Sequence, residues 1–376
     1  MSLRISGMGW VTPLGSGVSA VWERLLAGDE AHAETVPSAL QTLDYSAFRV
    51  PPDALATAPA HPRLRRSSAI SRFAVVAGLG ALADAQIKLD AASAERTAII
   101  FAISNGGVVY TKRFYHEVVE AGAQAASPLL FPETVFNAPA SHLAAILGIT
   151  GASYTLVGDG AVGLLALKMA EDLMQSEALD RCLVVGAEEA DWLLCDAFHR
   201  WRLLRAAPPI EVFSPRSRGI VLSEGAGAVV VDRTGPTAIE KIDAGSNFSR
   251  QSEAVARVKE TFHRLRATHR DLVIASANGT FVDNAEAAAI REHCPRARVY
   301  APKAALGEGV GSGGLWQVIC AAQALRTKQL PPIPHLEKDN VLHLSGGVQH
   351  DLKVDRALVS TCGLSQQVAG LTLRQA

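Results

Sequence analysis

The run Tyr154-Thr155-Leu156-Val157-Gly158-Asp159-Gly160-Ala161-Val162-Gly163 ends a strand, turns sharply and opens a helix. The helix predicted from it spans Ala161 to Ser176, where Leu164, Leu167, Lys168, Ala170, Glu171 and Met174 alternate faces at helical spacing. A turn of this kind presents its apex residue at a helix N-terminus, where backbone N–H groups and the helix dipole favour an anion or a low-pKa thiolate. The apex here is Gly160, which carries no side chain. Taken alone, the run is a tight strand-to-helix turn of the kind glycine permits.

Outward from this turn, short apolar runs recur between glycines: Leu3 to Val11, Thr97 to Ile103, Arg181 to Val185, Gly225 to Val231, Asp271 to Ala275, Arg298 to Tyr300 and Arg356 to Thr361. They are too apolar to be half exposed, which makes them central strands covered on both faces. Helical spacing fills the intervals at Ser68 to Ala85, Ala285 to Arg291 and Gly313 to Thr327. Strand and helix alternate throughout, so the expected class is α/β with mostly parallel strands. A weak break at Thr234-Gly235-Pro236 divides the chain into residues 1–234 and 235–376, each beginning and ending with a strand. That pattern hints at a duplicated unit, although no residue-level repeat is visible.

Composition narrows the function. With 48% apolar and 19% charged residues among 376, the chain can bury a large core and is not disordered. Its 36 basic and 37 acidic residues leave a formal charge of −1, so neither nucleic acid nor an anionic membrane is implied as a partner. Cys182, Cys195, Cys294, Cys320 and Cys362 are scattered without the pairing of a disulfide framework or a zinc site. A reducing cytoplasm is the simplest compartment, and Met1-Ser2-Leu3-Arg4-Ile5 reads as a strand start rather than a signal peptide. The uncharged segment from Thr134 to Gly158 is broken by Asn137, Pro139, Ser141, His142 and glycines, so it is no membrane span.

Five segments in order resemble the β-ketoacyl synthase family, the condensing enzymes of fatty-acid and polyketide synthesis. They are Ile5 to Gly15 with the following Trp22 to Gly28 helix, the turn at Gly160, Gly186-Ala187-Glu188, Phe213 to Gly227, and Lys303 to Gly314. The resemblance runs nearly end to end and implies a thiolase-like five-layer αβαβα architecture of two related halves. The family's reaction needs a nucleophilic cysteine and two histidines that help malonyl thioester lose carbon dioxide. Here those positions are Gly160, Asn278 in Asn278-Gly279-Thr280, and Glu308. The aromatic gate of the C-terminal glycine-rich loop aligns with Leu364 in Cys362-Gly363-Leu364-Ser365-Gln366.

Each departure has a chemical consequence. Glycine cannot form a thioester, and an ionised Glu308 would repel a developing enolate; Asn278 keeps a hydrogen-bond donor. Lys303 and Glu224 match the family's charged residues, which in relatives belong to a buried network that holds the site in shape. Asp159 is unusual for the family and is expected to cap the following helix. His116, His142 and His199 lie outside the loops.

The resemblance therefore points to a non-catalytic subunit like the chain-length factors of type II polyketide synthases. Such a subunit pairs with a cysteine-bearing ketosynthase and serves an acyl carrier protein; a homodimer is the alternative. Tyr110, Phe114, Tyr115 and Phe136 fall in segments that in this fold lie at the dimer interface, where they either close the tunnel floor or pack the contact. A second reading is a repurposed carrier-dependent acyltransferase or thioester hydrolase acting through Asp159, Glu308 or Asn278. No metal and no cofactor is implied by either.

Overall fold

The computed structural model describes residues 3–39, 43–215, 218–337 and 342–375. Met1 and Ser2 of the opening segment, and Arg216 and Ser217 of the Phe213 to Gly227 stretch, lie outside the described residues. Ten strands form the frame: β1 Arg4–Thr12, β2 Thr97–Ile103, β3 Ser153–Val157, β4 Arg181–Glu188, β5 Gly225–Asp232, β6 Thr237–Asn247, β7 Leu272–Ile274, β8 Arg298–Tyr300, β9 Arg356–Cys362 and β10 Gln367–Gln375. Their order across the sheet is β3-β2-β4-β5-β1 followed by β6-β10-β9-β7-β8. Read outward from the β1–β6 junction, the two sets are built in the same sequence. They meet through a short antiparallel contact of Arg4 with Ala238 and Ile5 with Thr237.

The expectation of mostly parallel strands is corrected. β2 is parallel to β3 and β4, and β7 to β8 and β9, but every pairing from β4 through β5, β1, β6 and β10 to β9 is antiparallel. An apolar run marks a strand covered on both faces but carries no direction, so β4, β5 and β1 pair antiparallel although each is such a run, and a search for apolar runs passes over the partly polar β6 and β10 altogether.

The strands' two faces build the layers. Ile99, Phe101 and Ile103 of β2 and Leu183 and Val185 of β4 pack outward among residues of the helices Ala69–Asp84 and Ala138–Leu147. Their neighbours Ala98, Ile100, Ala102, Cys182 and Val184 face inward, onto the central helices Val162–Leu173 and Gly313–Thr327. In the second set Leu272, Ile274 and Val359 face the same central layer, while Val273, Val299 and Leu358 pack against the helices Ala254–Arg264 and Phe281–His293. The result is helix, sheet, helix, sheet, helix. Gly163 and Gly314 let the two central helices approach closely, so that a Cβ on Gly314 would stand 3.3 Å from the Gly160 carbonyl oxygen. Both helices therefore begin at one point, and that point holds Gly160.

Glycines in the opening strand serve the outer layer. A Cβ on Gly9 would stand 1.8 Å from the Ala77 carbonyl oxygen, whereas one on Gly80 meets nothing nearer than the Gly9 Cα at 3.5 Å. Gly9→Ala is expected to destabilise the chain by about 2 kcal/mol or more, and Gly80→Ala, mid-helix, to be neutral or mildly stabilising. Urea midpoints of the two variants check this; equal effects would contradict the packing.

Candidate functional site

Loops at the carboxyl ends of β3, β7, β8 and β9 converge on Gly160. The Glu308 carboxylate, 3% exposed, accepts from Lys303 Nζ at 2.7 Å and Asn278 Nδ2 at 2.8 Å on Oε2, and from the Val310 N–H at 3.2 Å on Oε1. Its backbone is clamped from the first half of the chain: Glu308 N–H donates to Val221 O and Ser223 N–H to Glu308 O. Asn278 is spent on both sides, its Oδ1 accepting from Thr280 Oγ1 at 2.7 Å. A Cβ built on Gly160 would lie 4.0 Å from Glu308 Oε1 and 3.4 Å from the Gly363 Cα. Gly160, Asn278, Lys303 and Glu308 thus form one cluster, while Glu224 stands apart from it. Glu224 pairs with Arg49 at 2.7 Å and accepts from the Val50 and Ala190 N–H groups.

Asp159 holds an N–H at the start of the central helix and also reaches beyond it. Its carboxylate accepts from Ala161 N–H at 3.3 Å and, across the site, from Ser365 N–H at 3.0 Å, and burial pushes its pKa up. It is a staple between the Gly160 turn and the C-terminal loop, and a Cβ on Gly363 would strike it. The Gly363 N–H is also taken, by Gln367 O at 2.7 Å.

Two further acids shape the loops. Glu188, fully buried, accepts from the Ser104 and Asn105 N–H groups, and desolvation raises it to about 8. Asp283 accepts from Phe213, Asn278 and Gly279 N–H groups, joining the Asn278 loop to the Phe213 stretch. Val310, a β-branched residue at φ 37°, is held in a strained conformation between Gly309 and Gly311, which aims its N–H at Glu308.

Beside the cluster lies a cavity of about 200 Å³ lined by Ser104, Asn105, Asp159, Gly160, Glu308 and Leu364, with Leu194, Ala197, Phe198 and Trp201 as its apolar wall. This wall escaped the reading of the sequence, although its spacing of three, four and seven residues is a helical stripe. Tyr110, Phe114, Tyr115 and Phe136 do not line this cavity. They belong to an outer face around the helix Val108–Ala121, none of whose residues is buried. Phe114 packs on Tyr115 and Phe131, and Tyr115, Val119, Phe131, Tyr154 and Val157 are all exposed. β3 closes this face as a sheet edge, paired on one side to β2.

All five cysteines are buried and free. Burial drives Cys182 and Cys195 to about 12 and Cys362 well upward, leaving no reactive thiolate among them. Among the described residues no cluster of His, Cys, Asp and Glu suits a metal ion, and no helix is long and apolar enough to cross a membrane.

Models of the β-ketoacyl synthase N-terminal and C-terminal domains match residues 2–236 and 225–337. The chain belongs to the β-ketoacyl synthase family. It is 26% identical to the tetracenomycin polyketide synthase ketoacyl synthase beta subunit of Streptomyces glaucescens, over 99% of this chain and 98% of that protein. It is 24% identical to nodulation protein E of Rhizobium sp. (strain N33), with the same coverage. The solved structure described as the ishigamide ketosynthase/chain length factor superposes with a TM-score of 0.86 at 20% identity, over 100% of this chain and 99% of that one. The fold is thus the thiolase-like one of this synthase family. Within it, Gly160 at the strand-to-helix turn faces the Glu308 carboxylate.

Three variants test the electrostatics. Lys303→Met leaves Glu308 buried without its cation and is expected to cost about 3–5 kcal/mol, most of it recovered in Lys303→Met/Glu308→Leu; urea midpoints report both. Glu188 titrates higher folded, at about 8, than its ordinary 4.5. Its stabilisation is therefore complete below about pH 4.5 and is lost as the pH rises through about 8. Glu188→Gln is expected to reduce the fall in urea midpoint across that window, and an unchanged slope would count against it.

Proposed function

We propose that this chain is a non-catalytic ketosynthase-like subunit of the chain-length-factor type. Its halves, residues 1–234 and 235–376, pair in the cytoplasm with a cysteine-bearing ketosynthase homologue that elongates an acyl chain carried on an acyl carrier protein. The observation that carries this reading is Gly160: the turn, the helix N-terminus and the cavity are present, and the nucleophile is not.

The surrounding groups support it. A carboxylate at Glu308 opposes enolate charge, Asn278 is engaged by Glu308 and Thr280, and the Gly363 and Ser365 N–H groups are bonded within the loops. The same bonds weigh against a repurposed acyltransferase or thioester hydrolase, since Asp159 is a staple and Asn278 is held by Glu308 and Thr280. Pairing is supported by the exposed apolar face around Val108–Ala121 and the open edge of β3, a template for another chain. On that face Phe114, Tyr115 and Phe136 are contact residues, with the tunnel floor set where the partner meets them.

Native mass spectrometry of the chain purified from its own cells is expected to give a 1:1 complex with a cysteine-bearing homologue; a homodimer alone would overturn the pairing. Tyr154→Lys/Val157→Lys, at exposed edge positions, is expected to weaken that complex at least about 100-fold without lowering the thermal midpoint. Gly160→Cys by itself is expected to yield no β-ketoacyl product from acyl and malonyl carriers, because Asn278 and Glu308 remain. Thioester hydrolysis by the isolated chain, abolished by Glu308→Gln, would favour the hydrolase reading instead.

A further inference from the structure

At the opposite end of the second sheet from Gly160, a groove of about 830 Å³ opens where β7, β8 and β9 begin. It is lined by seven Arg and Lys side chains against Asp271 and Asp355, a local surplus of five positive charges in a chain whose formal charge is −1. Three of the cations are structural. Arg356 spends its guanidinium on Glu240, Asp271 and the Leu265 carbonyl, Arg374 pairs with Glu240, and Arg298 donates to Gln349.

The other four, Arg266, Arg270, Arg296 and Lys353, are exposed and make no ion pair with any described residue. They come from three separate loops, so their convergence is a product of the fold and not of one basic run. Like charges gathered in a concave site concentrate the field and attract an anion. Guanidinium forks match phosphate oxygens in pairs.

The lining says what kind of anion. Val354 is the one aliphatic side chain in it and His269 its one aromatic ring, with no Phe, Tyr or Trp present. A protein partner needs an apolar or aromatic core to its contact, and single-stranded nucleic acid stacks successive bases on several rings, whereas this groove offers a single imidazole. The volume is that of a small-molecule site. We propose that this groove binds a small oligophosphate anion, recognised through its phosphates alone, at a site separate from the Gly160 cavity.

Titration calorimetry of the full chain with tripolyphosphate in dilute salt tests this. Saturable one-to-one binding is expected, weakening at least about tenfold on going to 0.2 M salt. Arg270→Glu/Arg296→Glu is expected to lose at least about tenfold more, and the milder Arg270→Gln/Arg296→Gln to follow in the same direction. Arg63→Glu/Arg65→Glu, exposed and outside the groove, serves as the charge-matched control and is expected to bind as the parent does. ADP is expected to bind no more tightly than pyrophosphate. Absence of saturable binding, equal loss in the control, ADP binding tenfold tighter than pyrophosphate, or a glutamate-rich peptide binding as tightly as tripolyphosphate would each overturn the proposal.

Discussion

The buried ion pair of Lys303 and Glu308 is the constraint around which the site is arranged. Both side chains are 3% exposed, and charges so placed persist only when paired and hydrogen-bonded. Glu308 meets that demand with three donors from three directions, Lys303, Asn278 and the strained Val310 N–H, and its backbone is held by the segment at Val221 to Ser223. Loops from the second half of the chain are in this way fastened to the first half, directly above the N-termini of the two central helices. Gly160 belongs to the same arrangement, since it leaves the space toward which Glu308 Oε1 points.

Around this pair, carboxylates act as staples for backbone N–H groups. Asp159 joins the Gly160 turn to the Ser365 loop, Glu188 gathers Ser104 and Asn105, and Asp283 ties the Asn278 loop to Phe213. Each is buried, and for each desolvation outweighs the N–H donors and raises the pKa. Acids used in this manner hold a cavity's shape.

The surface divides the remaining chemistry by place. Apolar side chains collect on the face around Val108–Ala121 and along the β3 edge, while cations, four of them without an ion pair among the described residues, collect in the groove at the starts of β7, β8 and β9. An overall charge near zero conceals both, because a sum over the chain carries no information about which residues the fold brings together.

What was legible in the sequence were features with a local cause. The apolar strands at Thr97–Ile103 and Arg298–Tyr300 and the helix at Gly313–Thr327 announce themselves by period and composition, and the ordered motifs single out Gly160, Asn278 and Glu308, which the fold gathers into one cluster. Features made by contact between distant segments were decided only in three dimensions. Strand direction is one of these: β4, β5 and β1 are apolar runs that pair antiparallel, as do the partly polar β6 and β10, so the sheet is mixed where apolar runs suggested parallel. Asp159 bonds to a loop some two hundred residues away as well as to the start of its own helix, Glu224 turns to Arg49 and leaves Lys303 to Glu308, and the aromatics from Tyr110 to Phe136 lie on an outer face away from the cavity. A hydrogen bond or an ion pair is specified by which groups are within about 3 Å, and sequence order does not contain that distance.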